Sequence, residues 1–230
     1  MFRLIIKIKY SLFLFLKRFN LETITILGLF LTAYLLGSVP TAVWWGKRFY
    51  GIDVREFGSG NAGATNTFRI LGKRAGIPVL LIDVLKGSIA VLLAHFSYFL
   101  VGSNEFINLE LGLGMTALLG HVFPIFAGFR GGKGVATVLG VVICLAPFAS
   151  CLALCVFLLV LFSTRYVSLS SITAGLSFPF FLNIVCNNQN QILLFFSVFV
   201  SALLILTHKK NILRLLNREE SKINLFTKKI

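Results

Sequence analysis

Residues 135–162 read VATVLGVVICLAPFASCLALCVFLLVLF, 28 consecutive positions without a charged side chain. A helix needs about 20 such residues to cross the hydrocarbon core of a bilayer, and several other stretches of this chain approach that length. Charged residues make up 13% of the 230 positions and hydrophobic residues 57%. A soluble domain carries about 25% charge, so this chain has too few charges to cover a surface facing water. The pattern predicts an all-α fold, a polytopic bundle of membrane-crossing helices in one domain.

Seven crossings can be drawn. They fall at 23–45, 76–101, 109–126, two within 135–162 with Pro147 at their turn, 172–185 and 192–207. Lys and Arg alternate with them. Lys47, Arg48, Arg55, Arg69, Lys73 and Arg74 follow the first crossing, Arg130 and Lys133 the third, Arg165 the fifth, and Lys209, Lys210 and Arg214 the last, whereas 102–108 and 186–191 contain neither residue. The positive-inside rule therefore assigns 46–75, 127–134, 164–171 and the C-terminus to the cytoplasm. The same placement explains the formal net charge of +14 as topology signals and contacts for anionic lipid or substrate, without nucleic acid.

A single membrane-embedded domain is expected over 21–222, followed by a basic tail at 223–230. Residues 1–20, basic and apolar but interrupted by Lys7 and Lys9, fit less well. They read as an interfacial helix, an eighth crossing or an unused upstream start, and less readily as a signal peptide, since no small-residue cleavage site follows.

Two glycine clusters carry the chemistry. In FGSGNAGATN, Gly58, Gly60 and Gly63 have the G-x-G-x-x-G spacing of a dinucleotide turn, and Asp83 lies twenty positions beyond the last glycine. That fingerprint needs a preceding strand and a parallel sheet, and this chain offers neither. The second cluster, GFRGGKGVAT at 128–137, lacks the Walker spacing, and Gly134 replaces the Ser or Thr that should follow Lys133. It still suits phosphate, because glycine N–H groups, Arg130, Lys133 and the N-terminus of the next helix all favour an anion. A flexible basic loop is the plain alternative.

The inferred sidedness brings four segments to one membrane face: GSGNAGATNTFR, GHVFPIFAGFRGGKGVAT, RYVSLSS and HKKNILRLLNREE. Together they supply hydroxyls, amides, cations and glycine backbone with scarcely a carboxylate, a surface suited to phosphate. Asp83 and Lys86, spaced i,i+3 inside an apolar run, read first as an ion pair that holds the bundle. Of the histidines, His95 reads as structural, His121 as either a base or a packing residue, and none is followed by Asp in an H-x-x-x-x-D arrangement. No G-x-S-x-G elbow and no metal-ligand cluster is present. Cys144, Cys151, Cys155 and Cys186 read as small buried hydrophobes without disulfides. A transporter for an organic phosphate is the competing reading, although such a site would lie near the bilayer midplane between repeats.

Taken in order, these four segments, with LGSVP at 36–40 and DVLKG at 83–87, resemble the bacterial acyl-phosphate:glycerol-3-phosphate acyltransferases over about 30–222. The resemblance implies an enzyme of seven spans in the bacterial cell membrane with its active site facing the cytoplasm. It would move a fatty acyl group from acyl phosphate to the 1-hydroxyl of glycerol 3-phosphate, releasing lysophosphatidic acid and phosphate, with no cofactor and no obligatory protein partner. By motif position the resemblance assigns functional roles to Ser59, Asn61, Arg69, Ser171, His208 and Asn211. It assigns substrate phosphate to Arg69, Gly131, Gly132, Lys133 and Gly134. Arg218 departs from the family's usual Gly, so the turn leading to Glu220, the counterpart of a structural Glu, is expected to differ.

Overall fold

The computed structural model describes the backbone of residues 2–187 and 190–223, and side chains from residue 20 onward. The tail beyond residue 223 and the side chains of the N-terminal extension lie outside the described residues. All regular structure among those described is helical.

The first helix, α1 (Phe2–Ser38), stops ahead of Val39-Pro40, and a separate helix, α2 (Thr41–Tyr50), follows. The single crossing expected at 23–45 is therefore broken. Pro40 has no N–H to continue the ladder and pushes the residue before it out of helical geometry. Gly51, at φ 69°, then ends α2 with its N–H on the Gly46 carbonyl. Trp44, Phe49 and Tyr50 stay exposed beside Lys47 and Arg48, a composition that suits the membrane–water boundary.

Next come α3 (Ala64–Leu71), α4 (Lys73–Leu92) and α5 (Asn104–Val122). The tract at 135–162 yields two helices, as its Pro147 predicts, but unequal ones: α6 (Val135–Leu145) and α7 (Pro147–Thr164). At 1.5 Å per residue α6 is only about 16 Å long, half of the ~30 Å core. Then α8 (Val167–Phe180) runs on into a π-turn to Val185, and α9 (Gln191–Thr207) meets α10 (Lys209–Leu216) at a 60° bend. Among the described residues five helices are long and apolar enough to cross a membrane, or six when α9–α10 counts as one bent crossing. The short α6 completes the seven apolar segments.

In lipid the hydrophobic effect does not drive helices together, so close backbone approach must do so. Helix α1 packs on α5, and α4 on α6. At both crossings glycines lie against opposing backbone: Gly37 on Ala117, Gly120 on Tyr34, Gly87 on Thr137 and Gly140 on Val84. A methyl at any of these would overlap a carbonyl.

One polar cluster is sealed inside this packing. Asp83 and Lys86 on α4, both buried, pair at 2.9 Å. Thr41 Oγ1 donates to Asp83 Oδ1 at 3.0 Å, and Lys86 Nζ donates to the Val39 carbonyl at 3.0 Å. The pair thus clamps the Pro40 corner onto α4, where the missing proline N–H has disrupted the helix. Its structural reading stands. Leaving one charge without the other is the expensive case. Lys86→Met should lower stability by about 3–5 kcal/mol, and adding Asp83→Leu should recover part of that loss. Thermal unfolding in detergent reads both.

Candidate active site

Residues 51–63 form a loop organised by Asn66, on the first turn of α3. Asn66 Nδ2 donates to the Val54 carbonyl at 2.8 Å and the Phe57 carbonyl at 3.1 Å, while Oδ1 accepts the Ser59 N–H at 2.9 Å. Gly58 sits at φ 62°, and a Cβ there would press on Asn66 Oδ1. The glycine spacing therefore serves a tight turn around one buried amide. It is not a dinucleotide fingerprint.

Asp53 and Arg55 fasten this loop to the second one. Arg55 Nη2 lies 2.7 Å from Asp53 Oδ2, and Nη1 donates to the Ala127 carbonyl at 2.8 Å. Hydrogen bonding from Arg55 holds the Asp53 carboxyl well below the usual carboxylate range.

The second loop closes on α5. Gly131 donates its N–H to the Val122 carbonyl and Gly132 to the His121 carbonyl, each at 3.2 Å. That corrects the expectation that these N–H groups are free for an anion: the end of α5 uses both. Gly131 and Gly132 border a separate void of about 10 Å³, room for about one water. Gly134, at φ 83°, precedes the first turn of α6.

Between the two loops opens a cavity of about 380 Å³. Ser59, Asn61 and Arg69 line it from the first motif, Lys133 and Gly134 from the second, and Ser171, His208 and Asn211 from the last two. Every residue to which the resemblance assigned a role, except Gly131 and Gly132, thus meets in one space, whereas Arg130, the other cation of the second cluster, does not line it. The first turns of α3 (Ala64, Thr65) and of α6 (Val135, Ala136) also line the cavity, so two helix N-termini bring unsatisfied N–H groups to it. Much of its remaining wall is apolar, with Val138 and Val142 of α6, Ala153 and Phe157 of α7, Phe178 of α8 and Val200 of α9, and Asp83, His121, Ser150, Ser168 and Glu220 are among its polar exceptions.

The polar side chains are tied together. Lys133 Nζ donates to Asn211 Oδ1, Asn211 Nδ2 donates to Glu220 Oε1 at 2.6 Å, and Ser168 Oγ donates to the same oxygen at 2.8 Å. Burial lowers the Lys133 ammonium to about 8, with Glu220 opposing and Arg214 and Arg69 reinforcing. His208 Nδ1 lies 2.8 Å from the Leu204 carbonyl. A carbonyl only accepts, so Nδ1 carries the proton and the neutral ring leaves Nε2 as an acceptor. Ser171 Oγ donates to the Val167 carbonyl at 2.8 Å and keeps its lone pairs for the cavity. His121 also reaches the wall, but its Nδ1 stands 3.8 Å from Asp83 Oδ1, beyond hydrogen-bond range.

Sequence reasoning passed over Asn66 and treated Glu220 only as a structural residue. Both are buried hubs, whose importance lies in partners distant along the chain.

The sequence model of the family described as glycerol-3-phosphate acyltransferase matches residues 27–218. The chain belongs to that family. It is 42% identical to the glycerol-3-phosphate acyltransferase of Chlorobaculum parvum, over 87% of this chain and 97% of the relative. The corresponding figures for the Bacillus cytotoxicus enzyme are 47%, 87% and 96%. The crystal structure of PlsY, an integral membrane glycerol 3-phosphate acyltransferase, in its glycerol 3-phosphate form superposes with a TM-score of 0.76 at 40% identity, covering 86% of this chain and 96% of that one. The chain is accordingly a multi-pass membrane acyltransferase, and the transporter reading falls away.

The turn after α10 is the point where the resemblance leads one to expect Gly and the chain has Arg218. Glu219 N–H reaches the Arg214 carbonyl and Arg218 N–H the Leu215 carbonyl, the paired bonds of a Schellman cap. Arg218 takes φ 60°, the left-handed region that costs a non-glycine residue about 1–2 kcal/mol. The turn is kept, at the cost of strain. Arg218→Gly should raise stability by about 1 kcal/mol, read as a higher unfolding temperature with activity retained. Asn66→Ala should remove three loop hydrogen bonds, about 3 kcal/mol of local order. Acyl transfer should then fall at least about tenfold in protein that still elutes as a folded species.

Proposed function

We propose that this enzyme transfers a fatty acyl group from acyl phosphate to the 1-hydroxyl of sn-glycerol 3-phosphate, giving lysophosphatidic acid and inorganic phosphate, with its site open to the cytoplasm. The observation that carries this reading is the join in the cavity. Two cations, Arg69 and Lys133, and two helix N-termini line the cavity together with apolar side chains from four helices. A donor that is phosphate at one end and hydrocarbon at the other fits that join. A relative crystallised in a lysophosphatidic acid form supports the product, and the distribution of Lys and Arg supports the orientation.

Acyl phosphate is a mixed anhydride with a good leaving group, so no protein nucleophile is needed. The glycerol oxygen attacks the acyl carbonyl carbon, the bond from that carbon to the phosphate oxygen breaks, and phosphate departs. Arg69 and Lys133 hold the phosphates, and the first N–H groups of α3 and α6 stabilise negative charge as it develops. Ser59, Asn61, Ser171 and Asn211 orient the attacking hydroxyl, and holding it against the carbonyl supplies much of the rate. Its proton passes to a substrate phosphate oxygen, with the neutral His208 fixing the substrate's position. If His208→Gln stopped turnover without changing folding or substrate affinity, His208 would be the base instead.

The deciding assay uses purified protein in lipid with labelled glycerol 3-phosphate and either palmitoyl phosphate or palmitoyl-CoA. Product from the acyl phosphate alone supports the reading, and product from the thioester overturns the donor. The lowered Lys133 value adds a pH dependence. The ammonium is charged below about 8 and neutral above it, so KM for glycerol 3-phosphate should rise as pH passes 8. Lys133→Arg, which stays charged, should abolish the rise.

A further inference from the structure

Two carboxylates line the cavity, Asp83 and Glu220. The first is committed to Lys86 and Thr41. Glu220 is nine-tenths buried, and among the described residues it has no cation at ion-pair distance and no hydrogen-bond partner for Oε2. A buried carboxylate so placed costs several kcal/mol unless a positive charge close by offsets it. The nearest one along its bonds is Lys133, a single amide away.

That amide can sit in only one way. An ammonium only donates and a carboxylate only accepts, so Asn211 must turn its oxygen to Lys133 and its nitrogen to Glu220. The dipole of Asn211 thus lies between the two charges with its ends correctly matched. Ser168 fixes Glu220 from α8, and the cap after α10 fixes it from the other side through Glu219.

We propose that Glu220 is a positioning residue for acyl transfer: through Asn211 it aims Lys133 into the cavity and keeps it in the charged form that a substrate phosphate needs. The structural role that the family resemblance assigns to this Glu becomes an electrostatic one. The proposal rests on the reading of Lys133 as a phosphate-holding cation. The groups that face Lys133 are Arg69 from α3, His208 and Arg214 from the α9–α10 corner, and Glu220 itself. Burial and both arginines favour loss of the Lys133 proton, and Glu220 alone opposes it. The arginines stay charged throughout, and burial pushes the His208 imidazole down to about 4, so a change in KM above neutrality belongs to Lys133.

The test is the pH profile of KM for glycerol 3-phosphate, from about pH 6 to 9.5, in the wild type and in Glu220→Gln, which keeps the shape and removes the charge. The alkaline rise in KM should move at least about one pH unit toward acid. An equal loss at every pH, with the rise unmoved, would mean that Glu220 is only structural and would overturn the proposal. A wild-type KM with no alkaline rise would instead defeat the reading of Lys133, and this proposal with it. Should Glu220→Gln fail to fold, Glu220→Asp draws the charge back by one methylene. It should shift the profile the same way by less, and an unmoved profile again counts against the proposal.

Discussion

Hydrocarbon offers no water to a backbone amide, and the rest of this structure follows from that constraint. Every crossing must be helical to satisfy its own N–H and carbonyl groups. Each break in a helix must therefore lie at the edge of the bilayer or be repaired from within the protein. The break at Pro40 is repaired by the Asp83–Lys86 pair: Lys86 donates to the Val39 carbonyl in place of a helical N–H, and Asp83 accepts from the Thr41 hydroxyl. The loops that start and end at breaks become the only places where amides, hydroxyls and cations can gather.

The cavity draws on that gathering. In the first glycine-bearing loop Asn66 takes the Ser59 N–H, and in the second the end of α5 takes those of Gly131 and Gly132. The first turns of α3 and α6 line the cavity beside these ties. The loops act as mounts for two helix N-termini and for Arg69 and Lys133. The short α6 belongs to the same logic, since it starts at the polar end of the cavity and forms one side of its apolar wall.

Much of the polar lining of the cavity was legible beforehand. Ser59, Arg69, Lys133, His208 and Asn211 stand out because polar residues are scarce in this chain and charge alternation puts their segments on one face. Gly131 and Gly132 were misread for a physical reason. A glycine-rich loop looks the same in sequence whether its N–H groups face an anion or a helix terminus, and only the distance to the Val122 and His121 carbonyls decides. Asn66 and Glu220 escaped notice because their worth comes from partners brought in by folding, such as Ser168, which is 52 positions from Glu220.

The sequence by itself determined the class of solvent, the helical content, the alternation of sides and the four polar segments. These follow from local composition: charge density, run length and the position of Lys and Arg. The breaks at Pro40 and Pro147 are local too, set by the missing proline N–H, but the tertiary structure alone decided that the Gly131 and Gly132 N–H groups bond the end of α5. It also decided that Lys133 and Glu220 are coupled through one amide. Each of these depends on groups far apart along the chain coming within about 3 Å, and no local pattern encodes that meeting.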